Sequence, residues 1–332
     1  MRTDGHPVAD PMNIVFAVDR GYLRQVAVTI RSIVENCSTP ESIRFYIVHA
    51  EDEAFVAEAI AEWSVSGVTP VRVANDYGTV GGQTHVSKAA FIKSMLPEAL
   101  SHLDRAIYLD ADIILLGDAR QLWEVDLKGA AMAGVVDLGV YIQMIRGITL
   151  GDFRRRDCQI MLGLDPEKLE YVNSGMMLMD LNQLRAMGFS ERFRQTDETY
   201  RGRLIFVDQD IINSLLRGRM ILLDSRWNVH STLMSRHLAR RYHYLPDSLR
   251  GDLALQQSEQ WAIHYTGGRK PWNSSEVWSG EKWWRYAELS GMDWPRPTAA
   301  KWSIAQAISE GWFDVASRLS AFRYNLRKVK SG

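Results

Sequence analysis

The sequence predicts an α/β protein built on a mostly parallel central sheet with helices on both faces. Three observations predict it. Strand-like apolar runs alternate with helix-like segments from residue 13 onward. The strand candidates carry apolar residues on both faces rather than at every second position alone, the pattern of strands in a covered parallel sheet. One of them, Ala106–Leu109, runs directly into two carboxylates, Asp110 and Asp112. In open parallel sheets that carboxyl end of the strands is where ligands sit.

The elements follow in order. Residues 1–12 are a polar extension with Pro and Gly and without the apolar stretch of a signal peptide. Residues 13–18 (NIVFAV) read as the first strand. Residues 22–36 read as a helix, because Leu23, Val26, Ala27, Ile30, Ile33 and Val34 share one face. Ile43–Val48 is the second strand, 52–63 a helix, Val68–Val73 the third strand, and 86–101 a further helix before Ala106–Leu109. The pattern then loosens. Ala130–Val136 and Met176–Met179 are strand candidates, 208–217 a short helix and Ile221–Leu223 a last strand. The stretch 138–170 is less regular. Its triplet Arg154–Arg156 reads as a solvated loop or as a contact for an anionic acceptor. The WPRP stretch around Pro295–Pro297 marks a boundary.

Composition narrows the function classes. A chain of 332 residues holds one large α/β domain with an appendage, and 46% apolar residues suits a globular core. A net charge of −1 supplies no basic field for nucleic acid. The two cysteines, Cys37 and Cys158, lie far apart and outside any CxxC pattern. That speaks against a disulfide scaffold or a structural zinc site and suits a reducing, cytoplasmic compartment. No apolar run approaches the roughly 20 residues of a spanning helix.

The carboxylate pair needs a reason. A buried carboxylate costs several kcal/mol unless it is paired or ligates a metal. In extended backbone, residues i and i+2 point to one side, so Asp110 and Asp112 can converge on one cation. Oxygen ligands suit Mn²⁺ or Mg²⁺, ions commonly completed by phosphate oxygens. A second stretch, AIHYTGGRKPW at 262–272, adds to this. His264 can serve as a third ligand. Gly267 and Gly268 let backbone approach a phosphate, and Lys270 is a compact charge suited to a diphosphate. Taken singly, the first motif also reads as a turn and the second as a glycine turn with an incidental histidine.

Together, these ordered motifs resemble glycosyltransferase family 8. AVDRGY (17–22) resembles the family's opening nucleotide loop, and HVSKAAFIK (85–93) the segment reaching the nucleotide from a neighbouring helix. YLDAD (108–112) resembles the metal-binding Asp-x-Asp, and VNSG (172–175) the sugar-binding Asn-x-Gly stretch. DQD (208–210) and HYTGGRKPW (264–272) resemble the remaining signatures. The resemblance implies the GT-A fold and transfer of a hexose, galactose or glucose, from a UDP-sugar with retention at the anomeric carbon. It implies Mn²⁺, or Mg²⁺, on Asp110, Asp112 and His264. Ala17, Asp19, Tyr22, Lys93 and Ala111 would line the nucleotide, and Gly267 and Lys270 would hold the diphosphate. Asp137, Asn173, Asp208 and Gln209 would surround the transferred sugar, with Asp137, Asp208 and Gln209 as the catalytic candidates. The implied catalytic domain spans 13–275, with a nucleotide half of about 13–118 and a sugar and acceptor half of about 119–275. Two features depart from the family pattern. Arg20 and Gly21 replace an acidic residue and Asn, and Lys93 stands where Arg is usual.

Plainer readings stand beside these. Asn173 can cap a turn, Asp208 can be a helix N-cap, Asp137 can simply end a strand, and His85 can be a solvated loop residue. A haloacid-dehalogenase-like phosphohydrolase also places Asp-x-Asp after an apolar strand, although HYTGGRKPW has no role there. A non-catalytic nucleotide-sugar-binding protein is a third reading. Residues 276–332 form an aromatic and basic helical region. Eight of the 11 tryptophans lie beyond residue 260, as an aromatic core or as a surface for sugar or lipid. Trp302, Ala305, Ile308, Trp312, Val315, Leu319 and Phe322 form an apolar stripe followed by basic residues. Such a helix packs on the domain or lies peripherally on an anionic membrane, where a glycan or glycolipid acceptor would be met.

Overall fold

The computed structural model describes residues 10–63, 65–74, 88–146, 150–165, 168–234 and 238–297. The tail stripe over 298–332 and His85 lie outside these residues. Ten strands occur among the described residues: β1 (Met12–Val18), β2 (Ile43–His49), β3 (Val68–Arg72), β4 (Arg105–Leu109), β5 (Ile113–Leu115), β6 (Met132–Val136), β7 (Val172–Asp180), β8 (Met220–Leu222), β9 (Val229–His230) and β10 (Ala262–His264). Seven form the central sheet, in the order β3-β2-β1-β4-β7-β6-β8. Every neighbouring pair is parallel except the two made by β7, which runs against both β4 and β6. A small second sheet, β5-β10-β9, stands beside it. The α/β class and the mostly parallel sheet are as expected.

The reversed strand matters for the site. Because β7 is antiparallel, its first residues lie at the edge where β1, β4 and β6 end. The turns after β1, β4 and β6 and the start of β7 therefore meet at one place. β1 is buried from Ile14 to Val18, with Ile14 and Phe16 in one apolar layer and Val15 and Ala17 in the other. Such two-sided burial accounts for the continuous apolar run in the sequence.

Several elements differ from expectation. The helix expected over 86–101 is split, among the described residues, into Lys88–Ser94 and Leu96–Ala99. Pro97 has no N–H for a bond to Lys93 and clashes with the preceding turn, so the helix breaks there. Residues 138–146 and 150–161 are helices rather than irregular chain. Arg154–Arg156 therefore sit on a helix and not in a loop. Arg155 is buried with its guanidinium 3.9 Å over the Phe206 ring, while Arg154 and Arg156 face solvent. β7 begins four residues earlier than expected, through Val172, Asn173, Ser174 and Gly175.

Among the described residues, the tryptophan-rich stretch builds core. Trp283 is fully buried on the helix Gly280–Leu289, with Trp272, Trp284 and Trp294 around its ring at centroid distances of 5.0–5.2 Å. This cluster packs against Val28 of the helix Leu23–Asn36 and Ile114 of β5. It thereby supports the first helix behind the site and the turn carrying the carboxylates.

Candidate active site

At the common edge lies a cavity of about 330 Å³ lined by Ala17, Tyr22, Lys93, Tyr108, Asp110, Ala111, Asp112, Ser174, Phe206, Asp208 and Gln209. Asp110 and Asp112 do not converge from an extended strand. They sit in the turn between β4 and β5, where Ile113 N–H donates to the Asp110 carbonyl, and Asp110 N–H donates to Gly175 O at 2.7 Å. The turn still brings both carboxylates toward His264, at the end of β10. Nε2 of His264 lies 3.2 Å from Asp112 Oδ1 and 3.9 Å from Asp110 Oδ2.

One ligand atom from each of Asp110, Asp112 and His264 lies within 4.8 Å of the others. The donor set, two carboxylate oxygens and one imidazole nitrogen, suits a hard divalent ion with positions left for phosphate oxygens. The field at this floor is acidic. Burial first, and then Asp112, Asp19 and Asp110, push the Tyr22 hydroxyl up to about 12. Burial works against the Asp112 charge, but His264 and Lys270 overcome it and hold its carboxyl well below the usual range. Lys270 Nζ donates to Asp112 Oδ2 and to Tyr265 O.

Lys93 is the second buried cation. Its Nζ lies 2.7 Å from Asp208 Oδ2 and 3.3 Å from Asp110 Oδ1, and donates to Ser174 O at 3.2 Å. Burial alone would lower its pKa, but Asp110 and Asp208 raise it above the ordinary lysine value. A compact ammonium reaching several acceptors does here what a planar fork would do differently. Asp208 is in the first turn of the helix Val207–Leu215 and not its N-cap, which is Phe206. Its carboxylate is held instead by Lys93 and by Ser174 Oγ at 3.0 Å.

Behind Gln209 lies a closed polar network. Gln209 Nε2 and Asn173 Nδ2 both donate to Asp137 Oδ2, at 3.0 and 3.1 Å. Gln209 Oε1 accepts from Asn173 Nδ2 at 3.0 Å and Ser174 N–H at 3.1 Å. Asp137 Oδ1 also accepts from Val140 N–H, capping the helix Leu138–Arg146. Asp137, the residue after β6, thus caps the helix and orients the amides at once. Beside it, burial pushes His230 down to about 4, against the opposing pull of Asp137.

The site residues named from sequence fall into three groups. Ala17, Tyr22, Lys93, Asp110, Ala111, Asp112, Asp208 and Gln209 line the cavity. Asp137, Asn173, His264 and Lys270 stand directly behind them, through the bonds just described. Asp19 and Gly267 line no part of it. Asp19 accepts from Gly21 N–H in its own turn, and Arg20 stacks on Phe55. Gly267 has φ +78°, and a Cβ there would crowd Thr232. Sequence reasoning missed Tyr108, Ser174, Phe206, Asn228 and His230. Tyr108 and Ser174 lay inside quoted motifs. Asn228 and His230 come from a 3₁₀ turn and a two-residue strand, too short to show a period.

This fold and edge are shared with known proteins. The structure aligns with galactosyltransferase LgtC, crystallised with donor and acceptor sugar analogs, at a TM-score of 0.69 and 24% identity, covering 85% of this chain and 97% of that one. Both have the GT-A fold, a mixed α/β architecture with a large central sheet flanked by helices. Residues 13–276 match the profile of glycosyl transferase family 8, and the chain belongs to that family. Among curated relatives, it is 29% identical over 293 residues to a lipopolysaccharide 1,2-glucosyltransferase of Escherichia coli, covering 85% of this chain and 79% of that protein. It is 24% identical over 277 residues to general stress protein A of Bacillus subtilis, covering 80% and 88%. Family membership displaces the phosphohydrolase alternative. No helix among the described residues is long and apolar enough to cross a membrane.

Proposed function

We propose that this glycosyltransferase moves galactose or glucose from a UDP-sugar to a glycan or glycolipid acceptor, with retention. The similarity to the lipopolysaccharide glucosyltransferase favours cell-surface polysaccharide synthesis at or near the cytoplasmic membrane. The observation that carries the reading is the convergence of Asp110, Asp112 and His264 at the floor of a cavity flanked by two buried lysines. A divalent ion held there, Mn²⁺ or Mg²⁺, would supply Lewis acidity to the departing diphosphate. Lys270 and Lys93 add fixed positive charge at the same place. Tyr22 and Ala17 bound the cavity on the side of β1, where the nucleotide would enter.

The network behind Gln209 bears on the route of transfer. Its amide oxygen already accepts two N–H groups, from Asn173 and Ser174, so both lone pairs are engaged. The Asp208 carboxylate is held by Lys93 and Ser174, both through Oδ2. The neutral Gln209 amide is therefore not an activated nucleophile, and Lys93 draws charge from the Asp208 carboxylate by pairing with it. These contacts favour front-face attack. The acceptor oxygen bonds to the anomeric carbon as the bond to UDP breaks, and the acceptor proton passes to a phosphate oxygen of the leaving UDP. Asp208, Gln209 and Asp137 then position the sugar and stabilise its developing positive charge.

The test is a panel of UDP-sugars with a lipopolysaccharide-derived acceptor, followed by proton NMR of the product. Transfer of one hexose in the α configuration from an α-donor is the expected result. An inverted product, or a glycosyl adduct trapped on Asp208 or Gln209, would contradict the route.

A further inference from the structure

Asn228 touches neither the cavity nor either carboxylate, yet it sits between the two halves of the site. It is 2% exposed, at the end of the 3₁₀ turn Ser225–Asn228. Its Oδ1 lies 3.1 Å from His264 Nδ1, and its Nδ2 donates to Asn173 Oδ1 at 2.9 Å. The directions of these bonds follow from one backbone group. Gly175 N–H donates to Asn173 Oδ1 at 2.9 Å, so that atom is an oxygen. The partner that Asn228 turns to Asn173 must therefore be its NH₂, which leaves its carbonyl facing His264. A carbonyl only accepts, so Nδ1 is the donor of that bond and carries a proton. Nε2 is then the nitrogen that faces Asp112 Oδ1, at 3.2 Å, and the one an ion would take in place of any proton.

We propose that Asn228 is a positioning residue that fixes the ring orientation and tautomer of His264 and links it to the Asn173–Gln209–Asp137 network around the sugar. The inference rests on the metal-site reading above. It adds that the metal ligand and the sugar-holding amides share one hydrogen-bonded frame, passing through a residue that touches neither ligand. A ring anchored in this way through Nδ1 meets the ion already oriented. Groups behind a ligating histidine commonly act so. The two ends of the side chain have separable duties. The carbonyl serves the metal ligand, and the NH₂ serves Asn173.

The experiment measures Mn²⁺ affinity by electron paramagnetic resonance in the presence of UDP, for wild type, Asn228→Leu, Asn228→Asp and His264→Ala. Asn228→Leu is expected to weaken Mn²⁺ binding by about 10- to 100-fold. Asn228→Asp keeps an oxygen for Nδ1–H and is expected to bind Mn²⁺ close to wild type. Because it cannot donate to Asn173, it is expected to raise KM for the UDP-sugar while UDP affinity holds. Nitrogen-15 spectra of His264 in the metal-free wild type should show the proton on Nδ1, a readout independent of how the variants fold. An Nδ1 without a proton would overturn the proposal. So would wild-type Mn²⁺ affinity in Asn228→Leu alongside its loss in His264→Ala. Wild-type affinity in His264→Ala would instead sink the metal-site reading itself, and this proposal with it.

Discussion

Gly175→Ala is a small change with a large expected effect. A Cβ built on Gly175 would lie 2.4 Å from His264 Cε1, and 2.9 Å from both Asn173 Oδ1 and Asp110 Oδ2. Ordinary contact begins at 3.4 Å, so the imidazole edge must retreat by about 1 Å, the difference between 3.4 and 2.4 Å. Gly175 is not among the glycines with positive φ, so the backbone itself accepts alanine. The penalty is therefore steric and falls on the site. Overpacking of this kind destabilises by about 1–3 kcal/mol. Ligand distances in a metal site hold to within about 0.2 Å, so a shift several times larger would take His264 out of the proposed metal site. Turnover should fall by about 100-fold, as for other misplacements of this size. Manganese affinity by electron paramagnetic resonance, UDP release and calorimetric unfolding would be measured together. An alanine variant with wild-type affinity and rate would refute the close approach of strand and histidine on which the site depends.

Other substitutions probe the supports. Lys93→Met should destabilise the fold by about 3 kcal/mol, the lower end for breaking a buried ion pair, because Asp110 and Asp208 keep some access to water; urea unfolding measures it, and an unchanged midpoint would deny the pairing. Trp283→Ala, at the centre of the aromatic cluster, should cost about 3–5 kcal/mol by the same assay. His230 gives a pH dependence. Its folded pKa of about 4 lies below the ordinary histidine value of 6.5. The unfolded chain thus binds a proton that the folded protein refuses. Stability is full above pH 6.5 and falls by about 3 kcal/mol as pH drops toward 4. Asp112 and Asp137, both depressed, add further loss below the ordinary carboxylate value. Unfolding free energies at several pH values should show this slope in wild type and a flatter one in His230→Gln.

Much of this architecture was legible in residue order. Strands β1 and β4 announce themselves because both of their faces are buried, which leaves unbroken apolar runs, and β2 does so apart from Arg44. Asp110, Asp112, His264 and Lys270 were legible because charged groups beside such runs demand a partner, and each has one here. The start of β7 was not legible. Asn173, Ser174 and Gly175 look like a turn, but their polar groups are satisfied by Gln209, Asp137, Lys93 and Asn228 from distant parts of the chain. The helices over 138–146 and 150–161 were hidden by glycines and by the charged DFRRRD stretch. Asn228 was invisible for a different reason. The role proposed for it comes from the two side chains it joins, and neither is near it in sequence.

The most direct test of the account is UDP release from the preferred UDP-sugar, with Mn²⁺ or with chelator, in wild type and in Asp112→Asn. Asparagine keeps the shape of the side chain and removes the charge that His264 and Lys270 surround. The account predicts turnover that needs the metal in wild type and is lost in the variant at any metal concentration that wild type can use. Equal, chelator-resistant turnover in both proteins would contradict the claim that Asp110, Asp112 and His264 form the metal centre of this transferase.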